Sequence, residues 1–418
     1  MLCYRQILLA TCLLLTGVQV AHAQAQHDFI PDEDELERHG LVRVWWNRAV
    51  FNPARDSIRN ITADELAVFV QSSAGNVTAF DAETGRLMWS KLVGKPDQVT
   101  YPIVTNDTNA FMAAGMSLYS IDKASGETMW KIALPHHPSA PPEVDDEHVY
   151  IGTAEGSVYA FDLRRIKELY DRRMLPQYMD LTLKWRYQAP SEIVSPPISN
   201  GEAVVFASYT GLLFSVVARD RGLNFQFETE GRAPIRVPLG RSGETVYVAS
   251  DDARVFALDM TTGNRRWSFT AGEAVRQQPR VVGNTVFVVP FGRGMYALRG
   301  TTGFQQWHQR EANQFLAASP EYVFVSDQLD NVLILDRDDG AIVGSLPYRH
   351  LNARVQNERT DRLYLASPSG LVVSIREKGL EEPLWHKYPE RQPIRAEVAP
   401  DEPAEADETD ADAAPGVN

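Results

Sequence analysis

GNVTAFDAETGRLMW, residues 75–89, is the stretch that decides the fold, because the same phrase returns down the chain. It reappears as MSLYSIDKASGETMW at 116–130, ARVFALDMTTGNRRW at 253–267 and, more loosely, RGMYALRGTTGFQQW at 293–307. Each copy holds an alternating apolar strand, a polar turn ending in Gly, and a second strand carrying Trp. Val77 and Ala79 alternate with outward residues, the period-two signature of a strand. Asp81 can accept hydrogen bonds from its own turn, and Gly85 suits a positive φ. Trp89 offers a broad surface to wedge between neighbouring sheets. One such hairpin cannot bury its own face, so the copies must stack.

With Asp81 as anchor, equivalents fall at Asp122, Asp162, Val217, Asp259, Arg299, Asp336 and Arg376. The spacing stays near forty residues except between Asp162 and Val217, where LRRIKELYDRRMLPQYMD intervenes. The Gly and Trp positions of the better copies are Gly126 and Trp130, Trp185, Gly263 and Trp267, and Gly303 and Trp307. The fourth copy carries Phe225 or Phe227 in place of Trp, and the seventh has no Trp. Two further strand candidates precede each anchor, for example APPEV (140–144) and HVYIGT (148–153), split by Asp145-Asp146-Glu147. Four strands per forty residues, eight times, predict an all-β fold: an eight-bladed β-propeller of four-stranded antiparallel blades over residues 41–388. Either LVRVWW (41–46) or the strand around Trp385 can close the eighth blade, and the sequence leaves both open.

The ends read differently. Residues 1–23 read as a signal peptide: Arg5, an apolar run over 7–20, and the small-residue site Ala21-His22-Ala23. The chain's two cysteines, Cys3 and Cys12, lie inside it, so the mature chain is expected to hold no disulfide or thiolate metal site. Cys12 is also a candidate lipidation site. Residues 24–40 read as an acidic linker, and 389–418 as a disordered acidic tail. These ends carry most of the net charge of −14. The body is nearly neutral, which excludes a nucleic-acid binder and agrees with a soluble, monomeric body. No membrane span is expected in the mature chain.

The sequence contains no nucleophile elbow, phosphate loop or zinc spacing. His136-His137 and Asp145-Asp146-Glu147 read as loops. Two places invite a functional reading. The insert 163–181 in the third blade reads as an amphipathic helix, apolar through Leu163, Ile166, Leu169, Tyr170 and Met174. Arg164, Arg165, Lys167, Arg172 and Arg173 cover its other faces and form a candidate docking element for an acidic partner or membrane surface, or else a surface excursion packed on its own blade. The starts of the innermost strands, placed by register at Thr100, Ser195, Arg236, Gln277, Gln314 and Arg354, would line the channel. Arg236, Arg276 and Arg354 would then form a cationic mouth for an anionic ligand or an acidic loop.

GSVYAFD (156–162), VFALDMTTGNRRW (255–267) and VTAFDAETGRLMW (77–89) resemble the pyrroloquinoline-quinone (PQQ) repeat, and the resemblance spans about residues 41–388. It implies an eight-bladed ring and one of two roles. Quinoprotein dehydrogenases hold PQQ and calcium in the channel. Non-catalytic propellers similar to the outer-membrane assembly factor BamB instead bind envelope proteins through loops. With no mature cysteine and no evident calcium-ligand set, this chain is more similar to the second branch. The resemblance therefore implies a periplasmic or outer-membrane-associated scaffold with no catalytic, cofactor or metal residues and with envelope proteins as partners. A PQQ- and calcium-dependent dehydrogenase, or a ligand- or polysaccharide-binding propeller, is the alternative.

Overall fold

In a computed structural model, described here for residues 29–96, 98–175 and 177–392, the chain forms eight four-stranded antiparallel sheets. Residues 1–23, read above as a signal peptide, both cysteines and the segment beyond Gln392 lie outside the described residues. Seven blades follow the chain from the innermost strand outward, beginning with Ile58–Ala63, Ala67–Ser72, Asn76–Asp81 and Leu87–Leu92. In blade eight, Ala353–Arg354, Leu363–Ala366 and Leu371–Glu377 are joined on the outside by Leu41–Arg48 from the other end of the chain. This outer strand pairs from Leu41↔Glu377 to Arg48↔Leu371. Trp385 makes only an isolated bridge to Thr360. The first strand therefore closes the ring.

Third strands end at the expected anchors: Asp81, Asp122, Asp162, Val217, Asp259, Arg299 and Asp336. The turn after Asp81 works as its residues require. Asp81 Oδ1 accepts from the backbone of Glu83 and Thr84 and from the Thr84 hydroxyl, at 2.8–3.2 Å. Gly85 sits at φ +67°. Its lack of a side chain has a second cause. A Cβ on Gly85 would lie 2.4 Å from the ring of Trp45, which comes from the preceding blade. Trp45 also donates from Nε1 to the Ala82 carbonyl at 2.8 Å.

The same lock joins other seams. Trp89 covers Gly126 and donates to Lys123; Trp267 covers Gly303 and donates to Gly300; Trp307 covers Gly340 and donates to Arg337. In blade four, Phe225 is the residue that takes the Trp position, over Gly263, while Phe227 packs on Phe256. The Trp of one blade thus seats on the Gly of the next, which is why the two residues travel together in the repeat.

At the seam from blade three to four, Arg221 takes the Gly position at φ +70° while Trp185 still donates to the Ala218 carbonyl. Two further seams depart from the pattern, and each has an added cover. Trp130 faces blade three, where the insert replaces the Gly turn. Ile166, Leu169 and Leu175 of the insert pack with Trp130 and Phe111 in one buried cluster. The seventh blade contributes no Trp to the next seam. There the segment read as a linker forms a helix, Glu33–Arg38, capped by Asp32, and buries Leu36 against Leu346, Tyr348 and Leu351. The acidic stretch 24–40 is therefore not wholly a linker: its second half is a packed part of the ring.

The chain does not leave the body at residue 388 either. Residues 384–392 cross the face formed by the turns that follow first and third strands. His386 bonds the Ala318 carbonyl at 2.9 Å, Lys387 pairs with Glu358 at 3.3 Å, and Arg391 pairs with Asp107 at 3.0 Å and with Asp146 at 3.6 Å. Blades two, three, seven and eight are thereby tied by one strap.

Candidate functional site

Beneath this strap the innermost strands converge on a cavity of about 440 Å³ at the channel axis, adjoined by a second of about 700 Å³ toward the strap. Most inner strands are two or three residues long, and several follow a proline: Pro102, Pro142, Pro197, Pro238 and Pro279. Proline fixes φ and removes a donor, so it suits a short edge strand facing a channel. Pro102, Pro142, Pro196 and Pro238 line the first cavity together with Ile61, Ile103 and Leu239.

The polar lining comes from the inner strands and the turns after them. Glu358 receives Lys387 at 3.3 Å and Arg280 at 3.7 Å, and Arg280 also donates to the Gln356 amide at 3.0 Å. Burial alone would push the Glu358 carboxyl up, but Lys387 and Arg280 outweigh it and hold the group below its ordinary range. Arg359 pairs with Glu65 at 3.0 Å, and Lys123 pairs with the buried Asp64 at 2.6 Å. Asp64 is likewise held low, because Lys123 and Arg359 outweigh its burial. These pairs join blade eight to blade one and blade one to blade two. Arg362, fully buried, binds Glu83 of blade one at 2.9 Å and Asp361 at 3.2 Å. Burial raises Asp361 to about 6 despite the guanidinium beside it.

Two charges in the lining of the first cavity stand apart. Arg241 donates to the Tyr388 hydroxyl at 3.2 Å, and no carboxylate lies within ion-pair distance of it among the described residues. Glu143 has neither ion pair nor side-chain hydrogen bond there. Burial pushes its carboxyl up against the pull of Lys387, Arg241 and Arg359. Both residues line both cavities.

The residues singled out from sequence are placed as follows. Of the register-derived channel positions, Gln314 and Arg354 lie on innermost strands; Thr100, Ser195, Arg236 and Gln277 lie in the loops before them. Arg236 bonds Asp251 at 2.5 Å and stacks 4.8 Å from the Tyr209 ring, and Arg276 approaches the same Asp251 at 3.9 Å. Arg354 bonds the Asp330 carbonyl and pairs with its carboxylate at 3.4 Å. Each of the three therefore faces an aspartate.

In the insert, the helix covers only Leu163–Asp171, begins with Asp162 as N-cap, and is followed by a short 3₁₀ turn at Met179–Thr182. Ile166 and Leu169 are buried, whereas Tyr170 and Met174 are exposed. Arg165 and Arg172 pair with Glu168 and Lys167 with Asp171, at 2.6–3.1 Å; Arg164 and Arg173 make no ion pair among the described residues. His136 pairs with Glu155, and Asp145 caps its turn by accepting from Glu147 and His148. No group of His, Cys, Asp and Glu among the described residues could hold a metal ion. No helix among them is long and apolar enough to cross a membrane.

The family model described as outer membrane protein assembly factor BamB matches residues 43–115, 73–174 and 225–363, most of the ring. The chain belongs to this family. BamB of Moranella endobia is 21% identical over 312 residues, which cover 68% of this chain and 76% of that protein. BamB of Shewanella oneidensis is 21% identical over 364 residues, covering 80% and 90% respectively. Among solved structures, BamB from Moraxella catarrhalis aligns with a TM-score of 0.62 at 17% identity, over 81% of this chain and 98% of that one. The computationally designed Ika8 protein aligns at 0.58 and 14% identity, over 79% and 96%. At such identities the structural likeness shows the fold. The sequence match shows a PQQ-repeat propeller of the BamB family.

Proposed function

We propose that this BamB-family propeller is a non-catalytic scaffold of the cell envelope that binds a protein partner in outer-membrane protein assembly. Family membership supports the class. One observation on the surface supports a docking face. Around the end of the ring opposite the strap, six large apolar side chains stand exposed in loops: Val50, Val99, Met116, Tyr209, Phe291 and Leu329. Phe291 and Leu329 are 73% and 63% exposed, at the tips of turns. Leu66, Leu223 and Phe304 are also exposed at the strap end, but the face opposite has no strap across it, and exposed apolar loop residues there suit a surface that another protein covers. The charged groups near the channel at the strap end are mostly engaged with one another, as in a structural network.

The test is affinity capture from detergent-solubilised envelopes with the purified protein as bait. The expected result is recovery of an outer-membrane barrel or its assembly machinery, lost in a Phe291→Ser/Leu329→Ser variant. A Tyr170→Ser/Met174→Ser variant of the insert serves as the contrast. Loss with the insert variant alone would move the docking face to the insert. Recovery of nothing above background by the unmodified protein would overturn the scaffold reading.

A further inference from the structure

The unmatched charges under the strap carry a separate inference, independent of the docking face. Arg241 and Glu143 sit on the innermost strands of blades five and three and line the same two cavities. Each lacks an ion-pair partner among the described residues, and the two do not lie within ion-pair distance of each other. Their neighbours are otherwise matched: Lys387 and Arg280 with Glu358, Arg359 with Glu65, Lys123 with Asp64, Arg354 with Asp330. Both are half-buried, and a charge partly withdrawn from water is costly when nothing compensates it. Here one cation and one anion are left facing a shared space.

That space has the make-up of a small-molecule site. Its volume of about 440 Å³ falls within the usual ~300–1,000 Å³. Its walls are mixed: an apolar part from Pro102, Pro142, Pro196, Pro238, Ile103 and Leu239 faces charged and amide side chains of the inner strands and the turns after them. A guanidinium matches a carboxylate by a two-pronged contact. A carboxylate in turn accepts from an ammonium or N–H donor.

We propose that the chamber under the strap binds a small dipolar molecule of amino-acid type, its carboxylate on Arg241, its ammonium on Glu143 and its apolar side chain against the proline-lined wall. Tyr388, whose hydroxyl meets Arg241, then belongs to the roof of the site, and the strap becomes the element a ligand must pass or displace.

The test is isothermal titration of the purified full chain at pH 7 with L-phenylalanine, and with three probes that each lack half of the dipole or the apolar body. These are N-acetyl-L-phenylalanine, phenethylamine and inorganic phosphate. The expected result is saturable binding of phenylalanine, with each other probe at least about tenfold weaker, as befits loss of one charge-assisted contact. Arg241→Gln and Glu143→Gln should each weaken phenylalanine by about tenfold or more. Glu143→Gln should also bring the N-acetyl compound level with phenylalanine. Melting curves without ligand check that the variants fold, and Glu143→Asp, which keeps the charge, should retain the preference for the dipole. Tightest binding by phosphate or by the N-acetyl compound would overturn the dipolar site in favour of an anion site. No saturable binding of any probe, or equal binding by the variants, would overturn it altogether.

Discussion

Replacing Trp45 with Ala is the sharpest test of how the ring is held. Trp45 is 7% exposed, lies over Gly85, and packs between Phe80 and Tyr364 with ring centroids 6.0 and 6.2 Å away. Truncating a buried Trp to Ala costs about 3–5 kcal/mol through lost burial and the cavity left behind. The hydrogen bond to Ala82 adds little, because the Tyr364 hydroxyl also reaches that carbonyl, at 3.3 Å. The expected loss is thus a large share of a total stability of about 5–15 kcal/mol. Trp267→Ala is the control: it is equally buried and makes the same lock to Gly300 and Gly303. The two should cost a similar amount in urea unfolding but differ in hydrogen exchange. Strand Arg265–Thr270 is joined to its partner strand by a covalent turn. Strand Leu41–Arg48 is joined to Leu371–Glu377 by the ladder alone. Without Trp45, amides of 41–48 should therefore exchange through a local opening well below the global stability, whereas 265–270 should not do so without Trp267. A cost under about 1.5 kcal/mol, or the same exchange pattern in both variants, would refute the argument.

Other expectations follow from the same contacts. Gly303→Ala places a Cβ 2.6 Å from the Trp267 ring at φ +72°, so it should cost about 2–4 kcal/mol. Gly379→Ala, at φ +93° with no neighbour within 4 Å, should cost only the backbone strain of about 1–2 kcal/mol, and paired denaturation curves compare them. Asp361 has a folded-state value of about 6, above the ordinary carboxylate value of about 3.9. The folded protein therefore holds this proton more tightly, and its contribution to stability falls as pH rises from about 4 to about 6. Asp361→Asn should remove that downward slope, up to about 2–3 kcal/mol, from urea midpoints measured across the window. If the channel served PQQ chemistry, adding PQQ and calcium would give dye-linked dehydrogenase activity. No activity is expected, and a saturable melting shift without turnover would instead support ligand binding under the strap.

The architecture was legible because its signals are redundant: a period near forty, an Asp turn, a positive-φ Gly and a Trp, repeated until chance is excluded. What the sequence left open was closure, since LVRVWW and the Trp385 segment both look like strands. The structure separates them through local chemistry. Pro383 interrupts the second segment and Leu41–Arg48 holds the edge of Leu371–Glu377, so the segment runs on as a strap instead of pairing there. The channel site was poorly legible for a geometric reason. Inner strands of two or three residues show no periodicity, so counting back from the anchors placed Thr100 and Arg236 where Val104 and Gly240 belong. A better signal was present: the charged residues shortly after the inner-strand prolines, namely Glu143, Arg241 and Arg280. The insert's helical spacing was real for one face, but its buried side covers a seam that lacks the Gly turn.

The ladder between Leu41–Arg48 and Leu371–Glu377 also sets an order of events. It joins segments more than three hundred residues apart, so a chain emerging from its amino end first holds strand 41–48 without its partner until nearly everything else has appeared. During that interval the eighth blade is incomplete, and strand 41–48 presents an unpaired edge of the kind that seeds misassociation. Completion of the ring is thus a single late step, and anything that clips or delays the segment 353–377 leaves seven formed blades and an open circle.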